Sequence, residues 1–417
     1  MTWLESFPFS VSAFERFGFV PDRLNRFYSR LPWFGNGGVD VVFLGDSLFR
    51  GQGATLPDAA GMANQMTRLL QRVWNPTDVP GGAGFLPAQW TWSSPPTQPT
   101  TITNGDLTGT SSRVMSGSGH CVARLNAGGS AGTIALAGTD CTHVEVSHLI
   151  KTGSANTAGW AFSGGLSGTG SLTIGGAGTA EYGARTLVAS GDSAAATWTL
   201  TVSEPPTDDL RLSGFVRYNG DYGTGIRGHN LACSGIQLYD PSNSNGLLRA
   251  DEPTGGVNTS AIQQANIDQW SSATPGVGGA VGARRAGLFV INLLTNDQGS
   301  YGNTAETATS GAATYQAKLQ TLVSAILARP SAPAILLVAP PAPSGRETYY
   351  RVFKAAMRAV AMATNHVTML DLDAAMGEIA YSSLPASWRQ ADGIHYTSEA
   401  YGAMAGLIAS AVITGRS

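Results

Sequence analysis

Three polar residues at the two ends of the sequence have side chains suited to acyl transfer. Ser47 closes a Gly-Asp-Ser tripeptide, and Asp392 stands three positions before His395. A serine hydroxyl becomes a strong nucleophile once a positioned base takes its proton, and an imidazole titrates near neutral pH. A carboxylate on the other ring nitrogen would fix the tautomer and stabilise the imidazolium. The sequence therefore predicts Ser47, His395 and Asp392 as the catalytic residues.

An acyl-transfer site also needs donors for the negative oxygen that develops on the attacked carbonyl. We expect these donors to be the backbone N–H groups of Ser47 and Gly235 and the side-chain amide of Asn296. A glycine at position 235 allows a close approach of backbone to substrate. Asp297 is expected to order the loop that carries Asn296.

Further candidates follow these residues in the chain. Tyr239 and Asp240 come just after Gly235, and Tyr396 follows His395, so we predict that they line the substrate pocket. For Tyr396, packing in the core is the alternative. The other histidines are scattered and form no metal-binding pattern, so we predict neither a metal nor an organic cofactor.

The predicted elements place these residues at the ends of strands. Val39–Ser47 is an apolar, β-branched run typical of a buried parallel strand. Further strands are expected at 286–297, 332–341 and 366–373. They alternate with helices expected at Ala59–Trp74, Ala312–Ala328, Glu347–Thr364 and Ser398–Ile413, the last with Ser398 as its N-cap. This alternation predicts a parallel sheet with helices on both faces, whose functional residues gather at the carboxyl ends of the strands.

The middle of the chain has a different character. Between residues 81 and 209, short alternating runs are separated by Gly, Ser, Thr and Asn, which predicts an antiparallel β-sandwich or jelly roll. Many of the 53 glycines lie in this region. We therefore predict two domains: a discontinuous α/β domain of residues 1–80 and 210–417, and an inserted β module of residues 81–209.

Composition and charge exclude several classes of protein. The net charge of −3 argues against a basic nucleic-acid surface and against a polybasic membrane patch. No apolar run approaches the ~20 residues that span a bilayer, and the N-terminus lacks the pattern of a signal peptide. The compartment and the oligomeric state stay open, with association with a virion or export by a non-Sec route as alternatives.

The four segments that carry these residues resemble the blocks of the GDSL/SGNH hydrolase family. The resemblance rests on FLGDSLFRGQG (43–53), HNLACSG (229–235), LLTND (293–297) and DGIHYTSEAY (392–401). One departure is Leu294, where the family usually has glycine, and it puts the local backbone in doubt. The resemblance implies a flavodoxin-like three-layer α/β/α sandwich and a serine esterase with no cofactor.

The four blocks do not distinguish among the substrates of such a family. The β module is similar to carbohydrate-binding domains of some family members, which favours short-chain, acetyl-type esters on a polysaccharide or cell-envelope glycan. One alternative is a lipase or thioesterase that acts on lipid esters. Another is a phage tail or receptor-binding protein that uses the hydrolase core to engage the host envelope.

Overall fold

The computed structural model describes residues 11–31, 38–55, 60–75, 84–87, 100–103, 107–109, 123–125, 132–137, 141–151, 157–164, 166–173, 181–191, 197–202, 210–219, 225–232, 234–238, 286–329 and 331–416. The strands are β1 (Val39–Gly45), β2 (Gly84–Pro87), β3 (Thr100–Thr103), β4 (Leu107–Gly109), β5 (Ala123–Leu125), β6 (Gly132–Ala137), β7 (His143–Lys151), β8 (Thr157–Ser163), β9 (Gly168–Thr173), β10 (Glu181–Ser190), β11 (Thr197–Val202), β12 (Leu210–Tyr218), β13 (Ile226–Asn230), β14 (Ala286–Asn292), β15 (Ala334–Ala339) and β16 (Val367–Asp371). The α-helices are α1 (Val11–Glu15), α2 (Asn25–Tyr28), α3 (Ser47–Arg50), α4 (Met62–Trp74), α5 (Thr295–Tyr301), α6 (Ala305–Leu327), α7 (Glu347–Ala363), α8 (Leu372–Ala375) and α9 (Ser398–Thr414).

Five parallel strands form the central sheet, in the order β13-β1-β14-β15-β16. Every residue of β1 is buried, because helices cover both faces of the sheet. Val41 and Phe43 face a core completed by α4 and α9, and Val42 and Leu44 face a second core completed by α6 and α7. The predicted parallel sheet between two helical layers is confirmed. The strand order reverses between β1 and β14, where α/β proteins commonly place their sites.

Strands β2 to β12 form two antiparallel sheets that lie between β1 and β13 in the chain. One has the order β10-β7-β12-β5-β4, with β2 also paired to β12, and the other has the order β3-β6-β11-β8-β9. The antiparallel pairing continues to Tyr218, past the predicted boundary at residue 209, because β12 pairs with β7, β5 and β2. The jelly-roll topology and the division into two domains stay predictions.

The antiparallel region packs closely against the edge of the central sheet. A Cβ atom added to Gly84 at the start of β2 would lie 1.8 Å from the carbonyl oxygen of Gly228 on β13. Val216 and Tyr218 of β12 belong to the same buried cluster as Val42 and Leu44 of β1. The two kinds of sheet therefore share a core.

Several helix boundaries differ from the prediction by a few residues, and two of these differences have a visible cause. Thr397, and not Ser398, occupies the N-cap of α9, and the Ser398 hydroxyl accepts a hydrogen bond from Thr55 N–H at 3.0 Å instead. Helix α6 begins at Ala305, earlier than the predicted Ala312, because Thr304 and Thr307 cap each other reciprocally. Within the part of the chain that the structure describes, no helix combines the length and apolarity needed to cross a bilayer.

Candidate active site

The turn after β1 presents Ser47. Asp46 is the N-cap of α3, and its Oδ1 accepts a hydrogen bond from Leu48 N–H at 2.9 Å. This cap stops the strand and starts the helix within one residue, which puts Ser47 on the first turn of α3. Ser47 lies at the carboxyl edge of the sheet, because only Asp46 separates it from the end of β1. It is 5% exposed, so its hydroxyl has little access to bulk water.

Ser47, His395 and Asp392 form one chain of hydrogen bonds. The Oγ of Ser47 is 2.7 Å from Nε2 of His395, and Nδ1 of the same ring is 2.6 Å from Oδ2 of Asp392. Oδ1 of Asp392 accepts two further hydrogen bonds, each of 2.9 Å, from the N–H groups of Ile394 and His395. The structure thus brings together the three residues that the sequence predicts as catalytic.

The environment of Asp392 favours its ionised form. Partial burial raises the pKa of this carboxyl, but the hydrogen bonds from His395 and Ile394 outweigh burial and hold the pKa below its usual range. Asp392 is therefore a carboxylate at neutral pH, able to accept a hydrogen bond from Nδ1–H of His395. That leaves Nε2 as the nitrogen that can take the proton of Ser47.

A second loop brings Gly235 and Asn296 to the same edge of the sheet. Gly235 has φ of +78°, a conformation that favours glycine. The amide of Asn296 donates to the carbonyl of Ile236 at 2.9 Å, and both carboxylate oxygens of Asp297 accept from Leu238 N–H at 3.0 Å. Helix α5 therefore holds the 234–238 loop; these two bonds of Asp297 reach that loop, whereas the sequence predicts that Asp297 orders its own segment.

Buried polar residues connect the Ser47 helix to residues 230–232 at the carboxyl end of β13. Asn230 donates to the carbonyl of Phe49 at 2.9 Å and accepts from Ala232 N–H at 3.1 Å. Arg50 is only 1% exposed and donates to the carbonyl of Ala232 at 2.7 Å. The sequence analysis missed both connections; an arginine directly after Leu48 and Phe49, at the end of α3, is the signal that could have found one of them.

Leu294 stands at the N-cap of α5, two residues before Asn296. Its φ of −151° lies outside the left-handed region that favours glycine. The Leu294 side chain is fully buried in the core between the sheet and helices α6 and α7. The departure from the family glycine is thus accommodated by packing.

Of the predicted pocket residues, the structure describes only Tyr396, since Tyr239 and Asp240 lie outside the described residues. Tyr396 is fully buried, and its ring lies 5.3 Å from that of Tyr381 and 6.0 Å from that of Tyr401. This placement matches the core-packing alternative for Tyr396 rather than a pocket wall.

No group of three His, Cys, Asp or Glu side chains that could hold a metal ion occurs among the described residues. The chemistry that the described arrangement can perform is proton transfer between Ser47 and His395 coupled to attack by the serine oxygen. Of the predicted oxyanion donors, Gly235 lies in the 234–238 loop and Asn296 lies on helix α5, which bonds to that loop.

Asp46 should make stability depend on pH. Burial raises the pKa of its carboxyl from 3.8 to about 7, and the hydrogen bond from Leu48 offsets only part of this effect. The folded state then binds this proton more tightly than the unfolded state, so Asp46 lowers stability as pH rises from about 4 to about 7. Asp46→Asn keeps an oxygen for Leu48 N–H without the charge. We expect this variant to gain up to about 4 kcal/mol over the wild type above pH 7.

Urea unfolding of both proteins at pH 4.5 and pH 8 measures this gain. Glu306→Gln, which removes an exposed carboxylate from the first turn of α6, is the control and should change by less than about 1 kcal/mol. An Asp46→Asn variant that is no more stable at pH 8 than at pH 4.5, relative to wild type, would contradict the assignment.

The chain is similar to a known protein family and to several solved structures. The family model for GDSL-like lipase/acylhydrolase matches residues 41–408. A solved peptidoglycan O-acetylesterase is similar over 94% of this chain and 95% of its own, with 17% identity and a TM-score of 0.61. A family two carbohydrate esterase from Clostridium thermocellum, solved with cellohexaose, covers 69% of this chain and 93% of its own, with 12% identity and a TM-score of 0.30.

A third solved structure is an acetyl xylan esterase from the rumen bacterium Butyrivibrio proteoclasticus. It covers 74% of this chain and 93% of its own, with 8% identity and a TM-score of 0.29. No curated protein sequence matches the chain. Since the family model spans most of the sequence, including all four blocks, the chain belongs to the GDSL-like lipase/acylhydrolase family and is a carboxylic ester hydrolase.

Proposed function

We propose that this hydrolase works through an acyl-enzyme on Ser47, with His395 as general base and acid and Asp392 orienting the imidazole. The observation that carries the proposal is the chain of two short contacts, 2.7 Å from Ser47 Oγ to His395 Nε2 and 2.6 Å from His395 Nδ1 to Asp392 Oδ2. The first distance puts the serine hydroxyl within proton-transfer reach of the imidazole, and the second is that of a charge-assisted hydrogen bond that orients the ring.

The steps follow from these contacts. Ser47 Oγ attacks the ester carbonyl carbon while its proton moves to His395 Nε2, giving a tetrahedral intermediate. That intermediate collapses, the C–O bond to the alcohol breaks, and His395 returns the proton to the leaving oxygen. Water then attacks the acyl carbon and gives one proton to His395. The bond between the acyl carbon and Ser47 Oγ breaks, His395 returns the proton to Oγ, and the carboxylic acid is released.

The negative oxygen of each tetrahedral intermediate needs donors that are already in place. The N–H groups of Ser47 and Gly235 and the side chain of Asn296 are our candidates. An amide side chain has two N–H groups. One N–H of Asn296 bonds to the Ile236 carbonyl, and we assign the other to the oxyanion. Support comes from the bonds that hold the 234–238 loop on α5, since preorganised donors lower the barrier most.

For the substrate, we propose a short-chain, acetyl-type ester on a polysaccharide or cell-envelope glycan. The solved structure that covers 94% of this chain is described as a peptidoglycan O-acetylesterase, which supports this choice. The net charge of −3 agrees with a partner other than nucleic acid. A lipid ester substrate is the competing possibility, and the tail-protein alternative stays a prediction.

Chain-length selectivity tests the substrate. We expect turnover of the p-nitrophenyl acetate ester to exceed that of the palmitate ester by about 10²-fold or more, since a closed pocket can discriminate 10–200-fold for a single methylene. The enzyme should also release acetate from O-acetylated peptidoglycan or acetylated xylan. The Ser47→Ala variant provides the blank for non-enzymatic loss. A preference for octanoate or palmitate esters would favour the lipase or thioesterase alternative instead.

A further inference from the structure

We propose that Tyr381 is a positioning residue for His395, an inference that rests on the proposed catalytic role of His395. Tyr381 begins a short 3-10 turn, Tyr381–Ser383, and is 3% exposed. Its hydroxyl accepts a hydrogen bond from Gln390 N–H at 2.9 Å and donates to the carbonyl of His395. The Tyr381 hydroxyl oxygen is also 3.1 Å from the carbonyl oxygen of Gln390, a second acceptor for the same O–H group. Tyr381 thus contacts the His395 backbone directly.

The Tyr381 hydroxyl contacts the loop that carries His395 at the point where the two sides of this loop pair with each other. Gln390 N–H also donates to the His395 carbonyl at 3.1 Å, and an antiparallel bridge joins Arg389 to Tyr396. The Tyr381 hydroxyl therefore sits at the junction of the two sides of this loop. Its hydrogen bonds determine the position of the His395 main chain, from which the imidazole reaches both Ser47 and Asp392.

The Tyr381 ring is itself held in place. It packs on Tyr396 at 5.3 Å, and Tyr396 packs on Tyr401 at 6.0 Å. The Tyr401 hydroxyl donates to the Gln52 carbonyl at 2.7 Å, and Gln52 N–H donates to the Ser47 carbonyl at 3.0 Å. One ring pair is tilted and the other is edge-on. The three packed rings hence connect the His395 loop to the Ser47 turn, and we expect them to help set the separation of nucleophile and base.

The hydroxyl stays a donor across the pH range of the reaction. Burial raises the pKa of Tyr381, and the nearby Asp392 carboxylate raises it further, while the backbone hydrogen bond to Gln390 and the charge of Arg389 act in the opposite direction. A neutral phenol can keep its bond to the His395 carbonyl. Misplacing a catalytic group by about 1 Å can cost 10²-fold in rate.

Tyr381→Phe removes only the hydroxyl and tests the proposal. We expect kcat for p-nitrophenyl acetate to fall about 10- to 100-fold with KM nearly unchanged, because the hydroxyl acts on the base and not on the substrate. Titration of active sites with a fluorophosphonate counts the competent enzyme, so a lower yield of folded protein does not affect kcat. The matched control is Tyr28→Phe, which loses another buried hydroxyl that donates to a backbone carbonyl, that of Val412 at 2.9 Å. This control should keep the wild-type kcat.

A double-mutant cycle with His395→Ala separates positioning from a purely structural role. If Tyr381 acts through His395, Tyr381→Phe has no further effect on the residual activity of His395→Ala. An equal loss in both backgrounds, or a Tyr381→Phe kcat within twofold of wild type, would overturn the proposal. A wild-type rate for His395→Ala alone would instead overturn the proposed function.

If Tyr381→Phe does not fold, Gln390→Leu replaces it in the same cycle. The Gln390 side chain donates to the Gly53 carbonyl at 2.7 Å and so ties the same loop to the Ser47 segment. We expect this variant to lose kcat and to show the same coupling to His395. Additive effects of the two changes would contradict the positioning role of this loop junction.

Discussion

Replacing Ser47 by alanine is expected to lower kcat/KM for ester hydrolysis by about 10⁴- to 10⁶-fold, because the variant lacks the atom that forms the acyl-enzyme. The residual rate would come from the oxyanion donors and from water activated by His395. The Ser47 hydroxyl contacts His395 at 2.7 Å and is 5% exposed, so its loss leaves the packing of the turn nearly unchanged. Stability should therefore stay close to that of the wild type.

Steady-state kinetics with p-nitrophenyl acetate and labelling by a fluorophosphonate measure this effect together. Ser410→Ala is the matched control, since Ser410 is a buried serine, 6% exposed, on the last helix α9. The control should label and turn over like the wild type, and Ser47→Ala should do neither. Ester turnover by Ser47→Ala within tenfold of wild type would reject the acyl-enzyme on this residue.

The candidate catalytic residues could be predicted from the sequence, because functional side chains of α/β proteins lie at the carboxyl ends of the parallel strands. Val39–Gly45 is buried on both faces, so its apolar run identifies a parallel strand, and Ser47 follows where such strands end. The Asp392 and His395 spacing suits a turn in which one carboxylate reaches both the backbone and the imidazole. These are local patterns, and local patterns predict well.

Contacts between distant segments could not be predicted in the same way. Tyr396 stands next to His395 in the chain, yet its burial depends on Tyr381 and Tyr401, which no periodic pattern connects to it. Likewise, Leu210–Tyr218 has the apolar alternation of a strand, but alternation does not say whether a strand joins the parallel or the antiparallel sheet. The burial of Tyr396 and the sheet that Leu210–Tyr218 joins both depend on contacts with distant segments of the folded chain.

Asp392→Asn is expected to lower kcat/KM by about 10³- to 10⁴-fold while the site keeps its shape. The two backbone N–H groups of Ile394 and His395 both bond to Oδ1 of Asp392, and the imidazole bonds to Oδ2. In the variant, those N–H groups can donate only to the amide oxygen, so the NH₂ group of the new asparagine faces Nδ1 of His395. Nδ1 must then accept, the proton moves to Nε2, and this tautomer cannot take the proton of Ser47.

Comparing Asp392→Ala with Asp392→Asn tests whether the tautomer of His395 causes the loss of activity. Asp392→Ala removes the carboxylate without imposing a tautomer, so the imidazole can still present an unprotonated Nε2 to Ser47 for part of the time. We therefore expect Asp392→Ala to retain more activity than Asp392→Asn, even though it removes more atoms and more hydrogen bonds. Kinetics of the two variants with p-nitrophenyl acetate, after active-site titration, measure this order. An Asp392→Asn variant as active as the wild type, or more active than Asp392→Ala, would show that Asp392 does not set the His395 tautomer.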